Sequence, residues 1–346
     1  MPDATVIPIS GDDEGRTNAS RAAREAGAPR PRKRSTRPVS SELETAAAAA
    51  AAALQEMDEE HGVDGAPERL DARLADWLDF LRRRITGEYE IDDFGFDAEL
   101  TDKVLLQPLR PLYERWFRVE TRGIENVPSD GGALVVANHS GTIAIDALMT
   151  QVALLDHHPA HRNLRMLGAN LVFQAPFLGE IARKGGNTLA CNPDAERLLG
   201  SGEVVGVWPE GFKGIGKPYS ERYKLQRFGR GGFVATALKT RTPIVPCAIV
   251  GAEEIYPIMA NLAPMARLLG LPYFPVTPTW PLLGPLGLVP LPSKWIIEFG
   301  EPIMTDHFPD GAADDPMLVF NITDQVRETI QQTLYKLLVS RRSVFR

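Results

Sequence analysis

Cysteine is scarce in this sequence, which has only Cys191 and Cys247 among its 346 residues. Two cysteines cannot build a disulfide scaffold, and they lack the spacing of a metal site, so we expect neither. The sequence also lacks a run of about 18 apolar residues, and its first residues lack the charged-then-apolar pattern of a secretory signal. We therefore expect no metal, no membrane-spanning helix and a reducing, cytoplasmic setting.

Most of the chain also lacks an excess of basic over acidic residues. The net charge of −7 divides into +3 for residues 1–40, −12 for residues 41–100 and +2 for the remainder. A nucleic-acid-binding domain carries a basic surface, whereas the main part of this chain is nearly neutral. The charge pattern therefore argues against a nucleic-acid partner.

The first 40 residues are rich in Gly, Pro, Ser and Arg, a composition that predicts a disordered basic tail. The tail is either solvated or in contact with anionic lipid through a cluster of five basic residues. That cluster consists of Arg30, Arg32, Lys33, Arg34 and Arg37.

Residues 41–100 predict an acidic helical arm. Ser41 and Glu44 have the spacing of a capping box, and the alanine tract Ala46–Ala53 favours helix while offering little to bury. A second helix is expected from Pro67, with an apolar stripe that either packs on the main domain or docks on a partner. The stripe consists of Leu70, Leu74, Trp77, Leu78, Leu81 and Ile85.

Residues 101–346 alternate short apolar runs with helical patterns, which predicts an α/β domain whose mostly parallel sheet is flanked by helices. The expected strands are Ala133–Ala137, Leu164–Leu167, Val204–Trp208, Ile244–Val250 and Trp295–Phe299. The expected helices are Ala144–Leu155, Pro193–Leu199, Phe233–Thr240 and a long final helix over Pro316–Ser340.

A first polar cluster follows the strand that ends at Ala137, where sites form in parallel sheets. It contains Asn138, His139, Ser140, Gly141 and Asp146. An imidazole can take a proton from a hydroxyl when a carboxylate holds its other nitrogen. In a continuous helix Asp146 would lie about 10 Å from His139 along the axis, so the pair can meet only if Ser140 and Gly141 form a bend. Taken alone, the pair is either structural or catalytic.

A second cluster, Trp208-Pro209-Glu210-Gly211-Phe212-Lys213, follows the strand that starts at Val204. Between the clusters lies a cationic turn with Arg183, Lys184 and two glycines, suited to an anionic group. The run Gly211–Pro218 nearly matches a Walker A loop, but Pro218 stands where a hydroxyl is needed, so we set nucleotide binding aside. Without a Gly-x-Ser-x-Gly elbow, a serine esterase is also disfavoured.

The order of these blocks resembles the glycerolipid acyltransferase superfamily over roughly residues 115–305. That family shares Asn-His with a downstream Asp, a Gly/Arg turn, Phe-Pro-Glu-Gly and a Pro-rich strand, here Pro243-Ile244-Val245-Pro246. Three further runs are similar to its monoacylglycerol/diacylglycerol-acyltransferase-like branch, namely Asn138–Gly141, Phe228–Phe233 and Gly251–Glu254. In this sequence Asp146 lies seven residues after His139, Trp208 replaces the usual Phe, and Lys213 stands where many members carry Arg.

The resemblance implies direct transfer of a fatty acyl group from acyl-CoA, a co-substrate, to a glycerolipid hydroxyl without a cofactor. His139 would be the base and Asp146 its partner, with backbone amides near Ser140 and Gly141, or at Gly211, receiving the oxyanion. Glu210 would hold the acceptor headgroup or brace its loop. The substrate-binding set implied by the resemblance is Glu210, Gly211, Arg183, Lys184 and Lys213.

The expected acceptor is a lysophosphatidate-type lipid, with mono- or diacylglycerol as the alternative. A catalytically silent lipid-binding protein and a thioester or lysolipid hydrolase are the other classes considered. The segment from Tyr256 to Pro292 is apolar but interrupted by nine prolines, so it predicts either a lid on the core or a monotopic attachment to the inner face of the membrane.

Overall fold

The structure, a computed structural model, describes residues 67–229 and 231–345, with side chains from residue 74 onward. The predicted basic tail and alanine-rich helix lie outside the described residues. The chain divides into two compact units between Tyr89 and Glu90. The charge pattern places this boundary between residues 100 and 101 instead, but residues 90–100 pack with the second unit. Asp97 shows why, because its N–H donates to the Lys184 carbonyl at 3.0 Å.

Helix α1, Pro67–Thr86, is the described helix of the first unit. Proline suits the first turn of a helix, where its missing N–H has no partner to lose. The described residues of the predicted apolar stripe are 39–53% exposed, with Leu78 the least exposed and Ile85 the most. Phe80, which is not part of the stripe, is buried. Phe80 forms an edge-to-face pair with Trp77, with ring centroids 5.4 Å apart. The helix is therefore present as predicted, but the stripe is not its buried face.

The second unit is built on a seven-stranded sheet with the order β1-β9-β6-β2-β5-β3-β4. All neighbouring strands are parallel except β6 and β9, which are antiparallel. The predicted α/β class with a mostly parallel, helix-flanked sheet is confirmed. The strands are β1 Glu120–Arg122, β2 Ala133–Ala137, β3 Leu164–Gly168, β4 Thr188–Leu189, β5 Val204–Val207, β6 Ile244–Val250 and β9 Ile296–Phe299. A separate hairpin pairs β7, Ala260–Asn261, with β8, Pro275–Val276.

The helices of this unit cover both faces of the sheet. They are α2 Ile145–His157, α3 Asn170–Gln174, α4 Leu178–Lys184, α5 Asn192–Gly200, α6 Phe212–Ile215, α7 Gly232–Thr240, α8 Ala263–Leu268 and α9 Pro316–Ser340. Short helical turns lie at Ala98–Leu100, Thr101–Leu105, Leu109–Pro111, Leu112–Trp116, Ile124–Asn126, Tyr219–Glu221, Ala252–Glu254, Gly284–Leu288 and Ala312–Asp314.

Strand β2 shows how the sequence builds two cores. Ala133, Val135 and Ala137 pack into the core on the α2 side. Leu134 and Val136, which point the other way, pack with residues of α5, α7 and α9. Because every residue of β2 and β6 is buried, these strands need continuous apolar runs rather than alternation.

The observed bounds of β2, β6 and α9 are those predicted. Strand β5 ends at Val207 instead of Trp208, and β9 begins at Ile296 instead of Trp295. Within the described ranges we find no helix with the length and apolarity needed to cross a bilayer.

Candidate active site

Three loops meet at one edge of the sheet, after the neighbouring strands β5, β2 and β6. Residues 138–144 follow β2, residues 208–211 follow β5, and residues 251–254 follow β6. Because these strands are parallel, their carboxyl ends lie side by side and bring distant parts of the chain together. Both predicted polar clusters are therefore in one place.

His139 and Asp146 lie in direct contact. The imidazole Nδ1 is 2.8 Å from the Asp146 Oδ2, and the carboxylate is fully buried. Asp146 also accepts from the N–H groups of Ser140 and Ala147, each at 2.9 Å. A carboxylate only accepts, so it selects the tautomer with the proton on Nδ1 and leaves Nε2 as an acceptor. The His139 side chain is 12% exposed, so this nitrogen can face a substrate.

The bend that allows this contact is present where the sequence predicts it. Gly141 has φ +94° and Thr142 has φ +65°, and α2 begins only at Ile145. A Cβ on Gly141 would lie 3.0 Å from the Ala252 carbonyl oxygen, so the position also needs a residue without one. Tyr273 donates a hydrogen bond to the Thr142 carbonyl and ties the bend to the apolar segment.

Asn138 anchors the start of this loop to β6. Its amide donates to the Ile249 carbonyl at 3.0 Å and accepts from the Ile249 N–H at 2.7 Å. The side chain is fully buried. Its two bonds to Ile249 take the place of the backbone hydrogen bonds between β2 and β6 at the point where β2 ends. The sequence places Asn138 in the cluster but gives it no role, because its partner is 111 residues away.

Glu210 braces the same loop from β5. One carboxylate oxygen accepts from the His139 N–H at 2.9 Å and the other from the Gln226 N–H at 2.6 Å. The side chain is fully buried. Of the two roles expected for Glu210, bracing the loop fits this geometry. Holding an acceptor headgroup does not, because both oxygens are occupied and closed to solvent.

Two glycines let the second loop come close to His139. Gly211 has φ +54°, a conformation that favours glycine. A Cβ on Gly214 would lie 2.8 Å from the His139 carbonyl oxygen and 2.7 Å from the Glu210 Cβ. The backbone of α6 therefore packs directly on the loop that carries His139.

Behind this loop lies a buried ion-pair cluster that the sequence did not indicate. The Lys217 Nζ is 3.0 Å from the Glu253 Oε1 and 3.7 Å from the Glu210 Oε2. Burial raises the pKa of Glu253 to about 7, against the opposing effect of Lys217. The one signal for Lys217 in the sequence is its place in the near-Walker run Gly211–Pro218, and that pattern predicts a nucleotide site and not an ion pair.

Some amides expected to receive an oxyanion are already occupied. The Ser140 N–H donates to Asp146, and the Gly211 N–H donates to the Trp208 carbonyl at 3.0 Å. In contrast, the N–H groups of Gly141 and Thr142 have no acceptor within the described residues. The oxyanion role expected at Ser140 and Gly211 is therefore wrong for their amides, and Gly141 remains a candidate.

The predicted cationic groups have different environments. The Arg183 guanidinium lies over the Phe173 ring, 4.9 Å from its centroid, and Lys184 pairs with Glu180 at 3.1 Å. No described contact joins either of them to His139. Lys213 is exposed in α6, directly after Phe212, and forms no ion pair with any residue that the structure describes.

An apolar cavity of about 290 Å³ opens beside the bend. It is lined by Thr142 and Ile143 of the loop that carries His139, by Phe212 of α6, and by Tyr273 and Trp280 of the apolar segment. Side chains in this segment are exposed to a high degree, including Leu282 at 84% and Leu268 at 78%. The segment is therefore a wall of the cavity and an apolar outer surface at the same time.

Comparisons with known proteins show what the chain is similar to. A family model described as Acyltransferase matches residues 118–250, the part that contains His139, Asp146 and Glu210. An uncharacterized protein of Mycobacterium tuberculosis strain H37Rv is 52% identical over 99% of this chain and 97% of its own length. A human protein described as a DGAT1/2-independent enzyme synthesizing storage lipids is 27% identical over 38% of this chain and 39% of its own. The 1-acyl-sn-glycerol-3-phosphate acyltransferase of Bacillus subtilis is 27% identical over 38% of this chain and 61% of its own. The chain belongs to the glycerolipid acyltransferase superfamily.

Proposed function

We propose that this acyltransferase moves a fatty acyl group from acyl-CoA to a glycerolipid hydroxyl, with His139 as the base. The observation that carries the proposal is the 2.8 Å contact between the His139 Nδ1 and the buried Asp146 carboxylate. In the neutral imidazole this contact holds the proton on Nδ1 and leaves Nε2 as an oriented acceptor, which is what a general base requires.

In this mechanism Nε2 takes the proton of the acceptor hydroxyl as its oxygen attacks the thioester carbonyl. The tetrahedral oxyanion forms near the unpaired N–H groups of Gly141 and Thr142. The carbon–sulfur bond then breaks, the acyl ester is released, and the proton on Nε2 passes to the departing thiolate. No acyl group is attached to the enzyme at any step.

The acyl chain would occupy the apolar cavity beside the bend. The cavity begins at Thr142 and Ile143, next to the proposed oxyanion position. The exposed apolar residues of the same segment would rest on a membrane surface. Large exposed apolar patches are typical of proteins that attach to a membrane in this way. The chain would then take its lipid directly from the inner leaflet.

A lysophosphatidate-type acceptor is the first candidate, because Lys213 presents an unpaired charge next to Phe212 at the cavity. Mono- or diacylglycerol is the second candidate. It is favoured by the engagement of Arg183 and Lys184 with other side chains and by the printed description of the human relative.

The test is acyl transfer from radiolabelled acyl-CoA, with lysophosphatidate, monoacylglycerol and diacylglycerol offered in parallel. Product with one acceptor, lost in His139→Ala, would support the transferase and identify its acceptor. Label bound without product would indicate a lipid-binding protein, and free fatty acid alone would indicate a hydrolase.

Lys213→Met separates the two acceptor candidates. If Lys213 holds a phosphate, the variant should raise the KM for lysophosphatidate about tenfold, because one exposed charge-assisted contact contributes about 1.4 kcal/mol. The KM for monoacylglycerol should not change. Lys239→Met is the matched control, since Lys239 is a surface residue paired with Glu196. An unchanged KM for lysophosphatidate in Lys213→Met would remove Lys213 from the acceptor site.

A further inference from the structure

The cluster behind the catalytic loop holds one ammonium between two carboxylates. The Lys217 side chain is only 2% exposed, and Nζ contacts Glu253 at 3.0 Å and Glu210 at 3.7 Å. It also donates to the Lys224 carbonyl at 3.1 Å. Lys217 thus joins the loop after β5, the turn after β6 and the segment that precedes α7.

Glu210 connects this ammonium to His139. Its two oxygens each accept a backbone N–H, one from His139 and the other from Gln226, so the carboxylate is fixed in orientation. Rotation of Glu210 would release the His139 N–H. The backbone position of His139 in turn determines whether its imidazole reaches Asp146.

The positive charge of Lys217 is needed to keep the two buried carboxylates of Glu210 and Glu253 close together. Glu210 and Glu253 are both buried, and Lys217 is the one cation that forms an ion pair with either of them among the described residues. The raised pKa of Glu253 reflects its burial, with Glu210 adding to the effect and Lys217 opposing it. Without the ammonium, two buried carboxylates would face each other and one would have to take up a proton or move.

We infer that Lys217 is a positioning residue that, through Glu210, holds the His139 backbone in the geometry that joins the imidazole to Asp146. Its consequence for acyl transfer rests on the proposed function, whereas its consequence for the loop does not. Lys217 touches neither Nε2 nor the apolar cavity beside the bend, so its effect is on the rate and not on substrate binding.

The experiment compares Lys217→Met, the double variant Lys217→Met/Glu253→Gln and the surface control Lys239→Met. Two readouts are needed, the kcat and KM of acyl transfer and the hydrogen–deuterium exchange of the peptide over residues 134–142. In Lys217→Met we expect kcat to fall at least tenfold with KM within twofold, and exchange at His139 to accelerate at least tenfold. Lys239→Met should match wild type in both.

The double variant separates positioning from simple charge balance, because Glu253→Gln removes the surplus carboxylate and favours folding. We expect it to recover thermal stability while kcat stays low and exchange at His139 stays fast. Recovery of kcat and of slow exchange together with stability would overturn the inference, and so would a single variant with wild-type kcat and exchange. If wild type transfers no acyl group, the proposed function fails, and the exchange comparison still decides the role of Lys217.

Discussion

Asp146→Asn changes one atom in the pair that carries the proposed mechanism. The amide has nearly the shape of the carboxylate, but one of its two positions now donates. If the NH2 takes the Oδ2 position, it faces the His139 Nδ1 and the Ser140 N–H, and the imidazole keeps a hydrogen bond only by moving its proton to Nε2, which removes the base. If it takes the Oδ1 position, it faces the Ala147 N–H and the bond to Nδ1 is kept. In both orientations the negative charge beside the imidazole is lost.

The size of the effect follows from the distance. When Nε2 takes the proton, the imidazolium carries a positive charge beside the Asp146 carboxylate, with Nδ1 and Oδ2 2.8 Å apart. At an effective dielectric constant of about 20, charges separated by 3–4 Å interact by roughly 4–6 kcal/mol. At 1.36 kcal/mol for each factor of ten in rate, the loss of this charge should lower kcat by roughly 10³- to 10⁴-fold.

The assay is acyl transfer by wild type, Asp146→Asn, His139→Ala and the double variant. We expect KM to stay within about threefold and the double variant to be no slower than His139→Ala, because the two residues act as one unit. Losing charged hydrogen bonds worth about 1.5–3 kcal/mol each could unfold Asp146→Asn. Circular dichroism is therefore used to check that the variant is folded. A kcat within tenfold of wild type in folded Asp146→Asn would refute the assigned pair.

Two further predictions concern the membrane and the buried cluster. The double variant Leu268→Gln/Leu282→Gln should lower binding to anionic vesicles, measured by flotation, roughly 100-fold, since each inserted leucine contributes about 1.5 kcal/mol or more. Val339→Gln is the control, because Val339 is also an exposed apolar residue, and it should bind like wild type. Equal binding by the two variants would exclude the apolar segment as the membrane-binding surface. The folded pKa of Glu253, about 7, lies above its ordinary 4.5, so the stability it contributes is present below pH 4.5 and lost as pH rises through 7. Compared with wild type, Glu253→Gln should therefore gain about 3 kcal/mol in the free energy of unfolding between pH 4.5 and 8, measured in urea; a pH-independent difference would contradict the raised pKa.

The parts of the fold that the sequence predicts well are those determined by local pattern. Strands β2 and β6 are buried on both faces, so they stand out in the sequence as continuous apolar runs. Helix α9 buries one stripe from Val319 to Leu337, and its period is visible without any knowledge of its partner. Asp315 adds a capping carboxylate that accepts from the N–H groups of Met317 and Leu318.

The pairing of His139 with Asp146 is also predictable, because it needs only a short segment and a glycine bend. Other details depend on contacts that local pattern does not contain. The Ser140 amide is adjacent to His139 in sequence, but it is occupied because Asp146 folds back under it. Likewise, Arg183 carries the right charge for a phosphate site, but its guanidinium lies over Phe173.

The cluster of Lys217 with Glu210 and Glu253 shows where the limit lies. Lys217 and Glu253 are 36 residues apart and belong to loops after different strands. They meet because β2 lies between β5 and β6 in the sheet, so that both loops converge behind His139. Alternation of strands and helices predicts a parallel sheet but not the order of its strands. The residues proposed to act on the substrate can therefore be predicted from a motif, while those that hold them in place follow from the strand order.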